Sequence, residues 1–241
     1  MIDYISCTNK QEATSLAGKE LTSLLTELKK KLQPTLLLLS GGSALPLTDA
    51  IEENQLGGHV TIGVLDERFS ADPSINNFSQ LTTTKLYKTG IAAGSSFIDT
   101  QIQHNESQQE LSIRFGTALK EWREVYPQGT ILITQGIGPD GHTSGVLPFP
   151  ENPILFKTLF ENSDSWTVAY DATGKNQYPL RVTTTLSFLK EVDISIVFIC
   201  GIDKTEALKK AFNPESLSEI APARVIQDMK HVSIFTDIKL H

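Results

Sequence analysis

The residues best suited to chemistry lie in one short segment, residues 131–148, which reads ILITQGIGPDGHTSGVLP. The apolar run at its start predicts a strand that ends in the turn Gly136-Ile137-Gly138. This turn leads to Asp140 and His142. A histidine titrates near neutral pH, and an aspartate two residues away can set its tautomer and charge. The pattern predicts a general base at the end of a strand. The alternative is a turn whose aspartate caps a helix and whose histidine faces water.

A second candidate segment is SGGS at residues 40–43, which follows a buried strand predicted at residues 35–39. Glycines let the backbone approach an anion closely, and the free N–H groups at the start of a helix favour phosphate. Gly41, Gly42 and Ser43 are therefore predicted to contact a phosphate group. The segment matches neither GxGxxG nor a P-loop, and the alternative is a tight turn in which the serine caps the helix.

Three charged residues, Asp66, Glu67 and Arg68, directly follow the strand predicted at residues 60–65. At the carboxyl end of that strand they share a rim with the glycine loop. Arg68 is suited to hold an oxyanion or a carbonyl oxygen, and Asp66 to orient a group or act as a base. The alternative is a solvated ion pair in a loop, which is common on protein surfaces.

Two further cations are candidates. Arg181 lies in the segment YPLRVT, and Lys204 opens the helix predicted at residues 204–212. A lysine at a helix N-terminus is disfavoured by the helix dipole, so the position of Lys204 is explained if an anion lies between it and the helix end. The alternative is a flexible surface lysine.

Apolar, strand-like runs alternate with helical segments along the chain. Strands are predicted at residues 35–39, 60–65, 130–134, 166–170, 195–200 and 232–235, and helices at residues 12–32, 45–53, 107–125 and 204–212. Continuous apolar strands between helices favour a mostly parallel sheet with helices on both faces. We expect one α/β domain spanning residues 1–241, with its chemistry at the carboxyl ends of the strands.

Composition and charge argue against several classes of protein. The formal net charge of -7 disfavours a nucleic-acid surface, although a few local cations can still bind a small anion. The N-terminal residues show no basic segment followed by a long apolar stretch, so we expect no signal peptide; no apolar stretch reaches about 18 residues, so we expect no membrane span. Two cysteines, Cys7 and Cys200, and five scattered histidines indicate a reducing, cytoplasmic setting without a zinc site.

In order along the chain, the motifs resemble those of the 6-phosphogluconolactonases. These share a superfamily with the glucosamine-6-phosphate isomerases/deaminases and, more distantly, with ribose-5-phosphate isomerase. The similar pieces are SGGS at 40–43, DER at 66–68 with Asn77 downstream, GxGxDGHT at 136–143, LRVT at 180–183, GIDK at 201–204 and Pro222-Ala223. The resemblance covers most of the chain and implies a modified Rossmann-like α/β sheet, in agreement with the alternation above.

The resemblance also implies roles for individual residues. The histidine of DGHT is the proposed general base of the lactonases, which assigns that role to His142 with Asp140 as its partner. The implied reaction is hydrolysis of 6-phospho-D-glucono-1,5-lactone by a water molecule that His142 activates. Arg68 would stabilise the oxyanion or bind ring hydroxyls. No metal or organic cofactor is implied.

Substrate binding is implied in the same way. The SGGS loop lies against the substrate in the lactonases, and Arg181 and Lys204 match implied phosphate contacts. Asp66 is grouped with these substrate-binding residues. We expect a small sugar phosphate as the ligand and a monomer or small homo-oligomer as the assembly.

Two alternatives remain open. The isomerase/deaminase branch resembles DGHIAFNEPG at this loop, with a catalytic glutamate five residues after the histidine. Here that position is Leu147, and Thr143 follows the histidine as in the lactonases, which disfavours deamination. The second alternative is a sugar-phosphate-binding paralogue without catalysis. It stays open because residues 44–46 depart from the usual SGGSTP and residues 144–149 from the usual HTASLFPG.

Overall fold

Seven parallel strands form the main sheet in a computed structural model of the chain, which describes residues 1–161 and 164–240. Across the sheet they are β1 (Ile2–Ser6), β10 (His231–Thr236), β9 (Ile194–Ile199), β6 (Thr130–Gly136), β2 (Thr35–Leu39), β3 (Val60–Val64) and β5 (Ser96–Phe97). Because the strands are parallel, their carboxyl ends meet at one edge. The SGGS, DER, GxGxDGHT and GIDK motifs follow β2, β3, β6 and β9, so all four lie at that edge.

Helices cover both faces of this sheet. The α-helices are α1 (Lys10–Lys30), α2 (Asn77–Thr83), α3 (Lys85–Ala93), α4 (Gln108–Val125), α5 (Pro153–Phe156), α6 (Leu186–Glu191) and α7 (Thr205–Phe212). Shorter turns of 3₁₀ helix span Gly42–Ala50, Glu53–Gln55, Ile202–Lys204 and Pro222–Gln227, and a π-helical turn spans Lys157–Glu161.

Strand β2 shows why both faces are covered, since all of its residues are buried. Side chains alternate along a strand, so Leu36 and Leu38 enter one apolar core and Leu37 and Leu39 enter the other. The first core is completed by α4, α6 and α7, and the second by α1, α2 and α3. The predicted α/β fold with a mostly parallel sheet is confirmed.

A separate antiparallel sheet was not expected from the sequence. Its strands are β4 (Asp66–Arg68), β8 (Leu180–Thr184) and β7 (Thr167–Asp171), in that order. Register places Asp66 opposite Thr183 and Arg68 opposite Arg181. The DER and LRVT motifs are therefore neighbouring strands and not loops, which brings their charged residues together.

Other elements also differ from the predictions. The helix predicted at residues 45–53 is instead the 3₁₀ helix Gly42–Ala50, with Pro46 inside it, and Pro46 has no N–H group to give to an α-helical ladder. Strand β1 was not predicted; it is a short edge strand of five residues, none of which is buried. Within the described ranges, no helix is both long and apolar enough to cross a membrane.

Candidate active site

The carboxyl edge of the main sheet and the small antiparallel sheet together enclose a cleft of about 210 Å³. All of the site residues predicted from the sequence line it except Asp140, which contacts the lining residue His142. Apart from Ile137 and Pro139, the lining consists of glycines and polar or charged residues. It is made of Ser40, Gly41, Gly42, Ser43, Asp66, Arg68, Asn77, Gly136, Ile137, Gly138, Pro139, His142, Ser144, Gly145, Arg181 and Lys204. Such a lining suits a hydrophilic ligand.

The histidine and aspartate of the DGHT motif form a dyad. His142 Nδ1 lies 2.5 Å from Asp140 Oδ1, and the backbone N–H of His142 donates to the same oxygen at 3.1 Å. Burial alone would raise the pKa of Asp140, but the hydrogen bond from His142 and its charge outweigh that effect and lower the pKa. With its Nδ1–H directed at the carboxylate, the neutral ring keeps Nε2 free to accept a proton.

Glycine at position 138 makes room for this dyad. A Cβ atom at Gly138 would lie 2.1 Å from His142 Cε1 and 2.8 Å from Asp140 Oδ1, so no other residue fits without moving the ring. The turn is closed by hydrogen bonds from Gly138 N–H to the His142 carbonyl at 2.9 Å and from Gly141 N–H to the Gly138 carbonyl at 3.0 Å. Gly141 has a φ of +90°, a conformation that glycine adopts without strain.

Buried hydroxyl groups hold the backbone that follows His142. Thr183 Oγ1 on β8 donates to the Ser144 carbonyl, and the Tyr170 hydroxyl on β7 donates to the Gly145 carbonyl at 2.5 Å. Ser144 has a φ of +48°, which is uncommon for a residue with a side chain, and its hydroxyl donates to Gln135 Oε1 at 3.2 Å. The small antiparallel sheet thus fixes the loop that carries the histidine.

Two arginines face each other across β4 and β8. Arg181 is buried and ion-paired with buried Asp66. Arg68 packs over the ring of Tyr178, 5.0 Å from its centroid, and within the described part of the chain it has no carboxylate partner. Like charges on opposing strand positions destabilise a sheet. One aspartate compensates only one of the two guanidinium groups, so this wall of the cleft is suited to an anion.

Lys204 adds a third cation on another side of the cleft. It ends the 3₁₀ turn Ile202–Lys204, and α7 begins one residue later than predicted, at Thr205. Burial lowers the pKa of its half-buried side chain, with a smaller opposing effect from Asp203. No carboxylate among the described residues forms a salt bridge with it. The backbone N–H groups of Gly42 and Ser43, in the first turn of their helix, have no partner inside that helix.

Glu67 does not lie at the cleft, although the sequence predicted all three charges of DER at the rim. Side chains alternate along β4, so Asp66 and Arg68 face the cleft while Glu67 points to the opposite side, where it is fully buried. Burial raises the pKa of Glu67 to about 7, against the lowering effect of its hydrogen bonds. The alternation would have predicted this orientation if β4 had been recognised as a strand.

Comparison with known proteins identifies the family. Residues 8–235 match the family model described as glucosamine-6-phosphate isomerases/6-phosphogluconolactonase, which covers nearly the whole chain. The chain belongs to the glucosamine-6-phosphate isomerase/6-phosphogluconolactonase family. The family predicted from the order of the motifs is therefore confirmed.

Relatives within this family carry the lactonase name. A 6-phosphogluconolactonase of Nostoc sp. is 26% identical over 230 residues, covering 90% of this chain and 88% of the relative. One from Caulobacter vibrioides is 27% identical over 158 residues, covering 64% of this chain and 63% of the relative. Structures of 6-phosphogluconolactonases from Shewanella baltica and Plasmodium vivax share the fold, each with a TM-score of 0.75. The Shewanella baltica protein is 17% identical, and the match covers 98% of this chain and 97% of that one. The Plasmodium vivax protein is 13% identical, and the match covers 97% of this chain and 89% of that one.

The sequence predicts that one position distinguishes the two activities in the name of the family. Leu147 occupies the place where the deaminase pattern has its glutamate, and it is buried in the apolar core and does not line the cleft. Asp66 lines the cleft and Asp140 contacts the lining residue His142, and both carboxylates already have a cationic or imidazole partner.

Proposed function

We propose that this protein hydrolyses 6-phospho-D-glucono-1,5-lactone to 6-phosphogluconate. The observation that carries the proposal is the His142–Asp140 dyad, which shares one polar cleft with Arg68, Arg181 and Lys204. A base and several cations in one cleft suit an ester that carries a phosphate. Family membership and the names of the relatives support the same reaction, and the buried Leu147 disfavours deamination.

In the proposed reaction His142 Nε2 takes a proton from a water molecule while the water oxygen attacks the lactone carbonyl. Asp140 accepts the Nδ1–H bond and stabilises the imidazolium that forms. Arg68, which has no carboxylate partner in the described chain, stabilises the oxyanion. When the ring C–O bond breaks, the imidazolium returns its proton to the departing oxygen. A positioned general base contributes about 10²- to 10⁴-fold to such a step.

Lys204 and Arg181 bind the phosphate together with the backbone N–H groups of the 41–43 loop, and the Ser43 hydroxyl assists. Asp66 accepts a hydrogen bond from Arg181 and holds one side of its guanidinium group in place. The phosphate contacts and the dyad come from different elements, so binding and chemistry can be perturbed separately.

The first test is turnover of freshly generated 6-phosphogluconolactone, corrected for spontaneous hydrolysis. We expect the wild type to accelerate hydrolysis and His142→Ala to lose about 10²- to 10⁴-fold in kcat. Binding of 6-phosphogluconate to the variant should remain. Wild-type turnover by His142→Ala would exclude the histidine as the base, and ammonia release from glucosamine 6-phosphate would favour the deaminase instead.

The second test concerns the phosphate contact. Lys204→Ala should raise KM about 10- to 100-fold with a smaller change in kcat, since a charged hydrogen bond contributes about 1.5–3 kcal/mol. Lys209→Ala on α7 is the matched control, because that exposed lysine does not line the cleft and, among the described residues, forms its salt bridge with Glu206. An unchanged KM in Lys204→Ala would remove this lysine from the phosphate site.

A further inference from the structure

Glu67 is a fully buried carboxylate that the proposed reaction does not use. It stands on β4 between Asp66 and Arg68, whose side chains line the cleft, while its own side chain lies on the other side of the strand. A buried ionisable group normally needs a partner of opposite charge. Among the described residues Glu67 has no such partner, so its position requires another explanation.

Four hydrogen bonds converge on its carboxylate. Oε1 accepts from the backbone N–H groups of Arg68 at 2.8 Å and Asn77 at 2.5 Å. Oε2 accepts from the Phe78 backbone N–H and the Thr100 hydroxyl, both at 2.9 Å. The donors are three backbone amides and one hydroxyl, so no charged or titratable side chain contributes a contact. An ionised carboxylate can accept all four of these bonds.

These bonds join three segments at the Glu67 carboxylate, namely β4, the start of α2 and the segment that contains Thr100. Asn77 and Phe78 form the first turn of α2, where a negative charge is favoured by the helix dipole. The Asn77 side chain reaches back to β4 and donates to the Asp66 carbonyl at 2.8 Å. It also lies against Gly41, since a Cβ there would approach Asn77 Oδ1 to 2.9 Å. One wall of the cleft is thus assembled around a carboxylate behind it.

We propose that Glu67 is a positioning residue, whose ionised carboxylate holds Arg68 and Asn77 in the cleft wall by binding their backbone N–H groups. The tests of this role that measure lactone hydrolysis rest on the function proposed above. If Oε2 is protonated, it donates to Thr100 Oγ1 and no longer accepts the Phe78 N–H well. The raised pKa of about 7 places this change near neutral pH. The wall is then held less firmly in the protonated form.

Glu67→Gln is the direct test, because glutamine keeps the shape but presents an NH₂ group to one of the backbone donors. We expect kcat for the lactone to fall about ten-fold, because small displacements of a group at the reacting carbonyl are costly. KM should stay within about two-fold, because the donors to Glu67 in the described structure include neither Lys204 nor the glycine loop.

Thr100 offers a second variant outside the cleft. It is fully buried and does not line the cleft, and Thr100→Val removes one donor to Glu67 with little change in volume. We expect kcat to fall about three-fold, since Glu67 loses one of its four hydrogen bonds. Thr100→Ser keeps the hydroxyl and should behave as the wild type, so the pair separates the hydrogen bond from the packing.

The pH profile distinguishes positioning from a purely structural role. Below pH 7 the ratio of the wild-type kcat/KM to that of Glu67→Gln should fall towards one, because only the wild type has an ionised carboxylate at position 67 to lose. In Thr100→Val the acid limb should move to higher pH, since a hydrogen bond that lowers the pKa of Glu67 is lost.

Folded Glu67→Gln and Thr100→Val variants with wild-type kcat and an unchanged pH profile would overturn the positioning role. If the wild type does not hydrolyse the lactone at all, the proposed function fails and calorimetry tests Glu67 separately. Glu67→Gln should then bind 6-phosphogluconate about ten-fold more weakly than the wild type, because the carboxylate of this ligand contacts Arg68. Inorganic phosphate should bind equally to the variant and to the wild type. Equal binding of 6-phosphogluconate would overturn the proposal in that case.

Discussion

The geometry of the dyad depends on the absence of a Cβ atom at position 138, where the residue is glycine. The His142 ring and the Asp140 carboxylate both occupy space that a Cβ at position 138 would enter. Cores and tight turns respond to an added methyl group by displacing side chains or backbone. The ring is the group most easily displaced here, since the His142 side chain is 38% exposed and, within the described part of the chain, its ring is hydrogen-bonded through Nδ1 alone.

Gly138→Ala is therefore expected to damage catalysis more than folding. We expect kcat to fall about 10²-fold because the base is displaced, and the free energy of unfolding to fall by about 1–3 kcal/mol. Gly58→Ala is the control, because a Cβ there meets nothing closer than the Gly94 carbonyl at 3.8 Å. Steady-state kinetics and thermal melts of both variants give the comparison. Wild-type kcat in a folded Gly138→Ala protein would contradict this account of the glycine.

Among the elements, β8 links the small sheet to the loop that carries the dyad. Thr183 and Thr184 are adjacent on this strand and both are fully buried. Thr183 Oγ1 donates to the Ser144 carbonyl, whereas Thr184 Oγ1 has no hydrogen-bond partner within the described structure. The two positions allow the same substitution to be compared with and without a bond to the loop.

Thr183→Val should lower stability by about 1–3 kcal/mol, since it leaves the Ser144 carbonyl unpaired in the interior. It should also lower kcat several-fold, because the loop after His142 loses an anchor. Thr184→Val replaces an unpaired hydroxyl with a methyl group, so stability should stay the same or rise. Urea unfolding and lactone turnover check both results. Equal effects of the two substitutions would show that the Thr183 bond does not hold the loop.

The elements also show what a sequence can predict. The residues at the carboxyl ends of β2, β6 and β9 were found because each follows an apolar run that is visible without any partner strand. Strands β4 and β8 were not predicted, since DER is short and charged and becomes a strand only by pairing with LRVT. The inward position of Glu67 and the Asp66–Arg181 pair follow from that pairing. Both features were missed because the pairing of β4 with β8 was not predicted.

For the molecule as a whole, the charge balance is uneven. The chain has a net charge of -7, yet Arg68, Arg181 and Lys204 share one cleft in which Asp66 compensates only one of them. A local positive potential of this kind draws an anionic ligand to the cleft despite the negative surface. Behind the cleft wall lies a buried negative charge, that of Glu67, which affects the stability of the entire fold.

Glu67 should make the free energy of unfolding depend on pH in a defined direction. Burial raises its pKa from 4.5 to about 7, so between these pH values the folded chain binds a proton that the unfolded chain does not. Its contribution to stability is therefore complete below pH 4.5 and is lost as the pH rises through about 7. The shift corresponds to about 3 kcal/mol.

This contribution is best measured as the difference between the wild type and Glu67→Gln, since the other titrating groups are common to both. Urea unfolding at several pH values should show the advantage of the wild type shrinking by about 3 kcal/mol between pH 4.5 and 8. The difference should level off above neutral pH, once Glu67 is ionised in both states. If the difference were constant across this range, Glu67 would be ionised in the folded protein at all of these pH values. In that case the four hydrogen bonds to its carboxylate would outweigh the effect of burial.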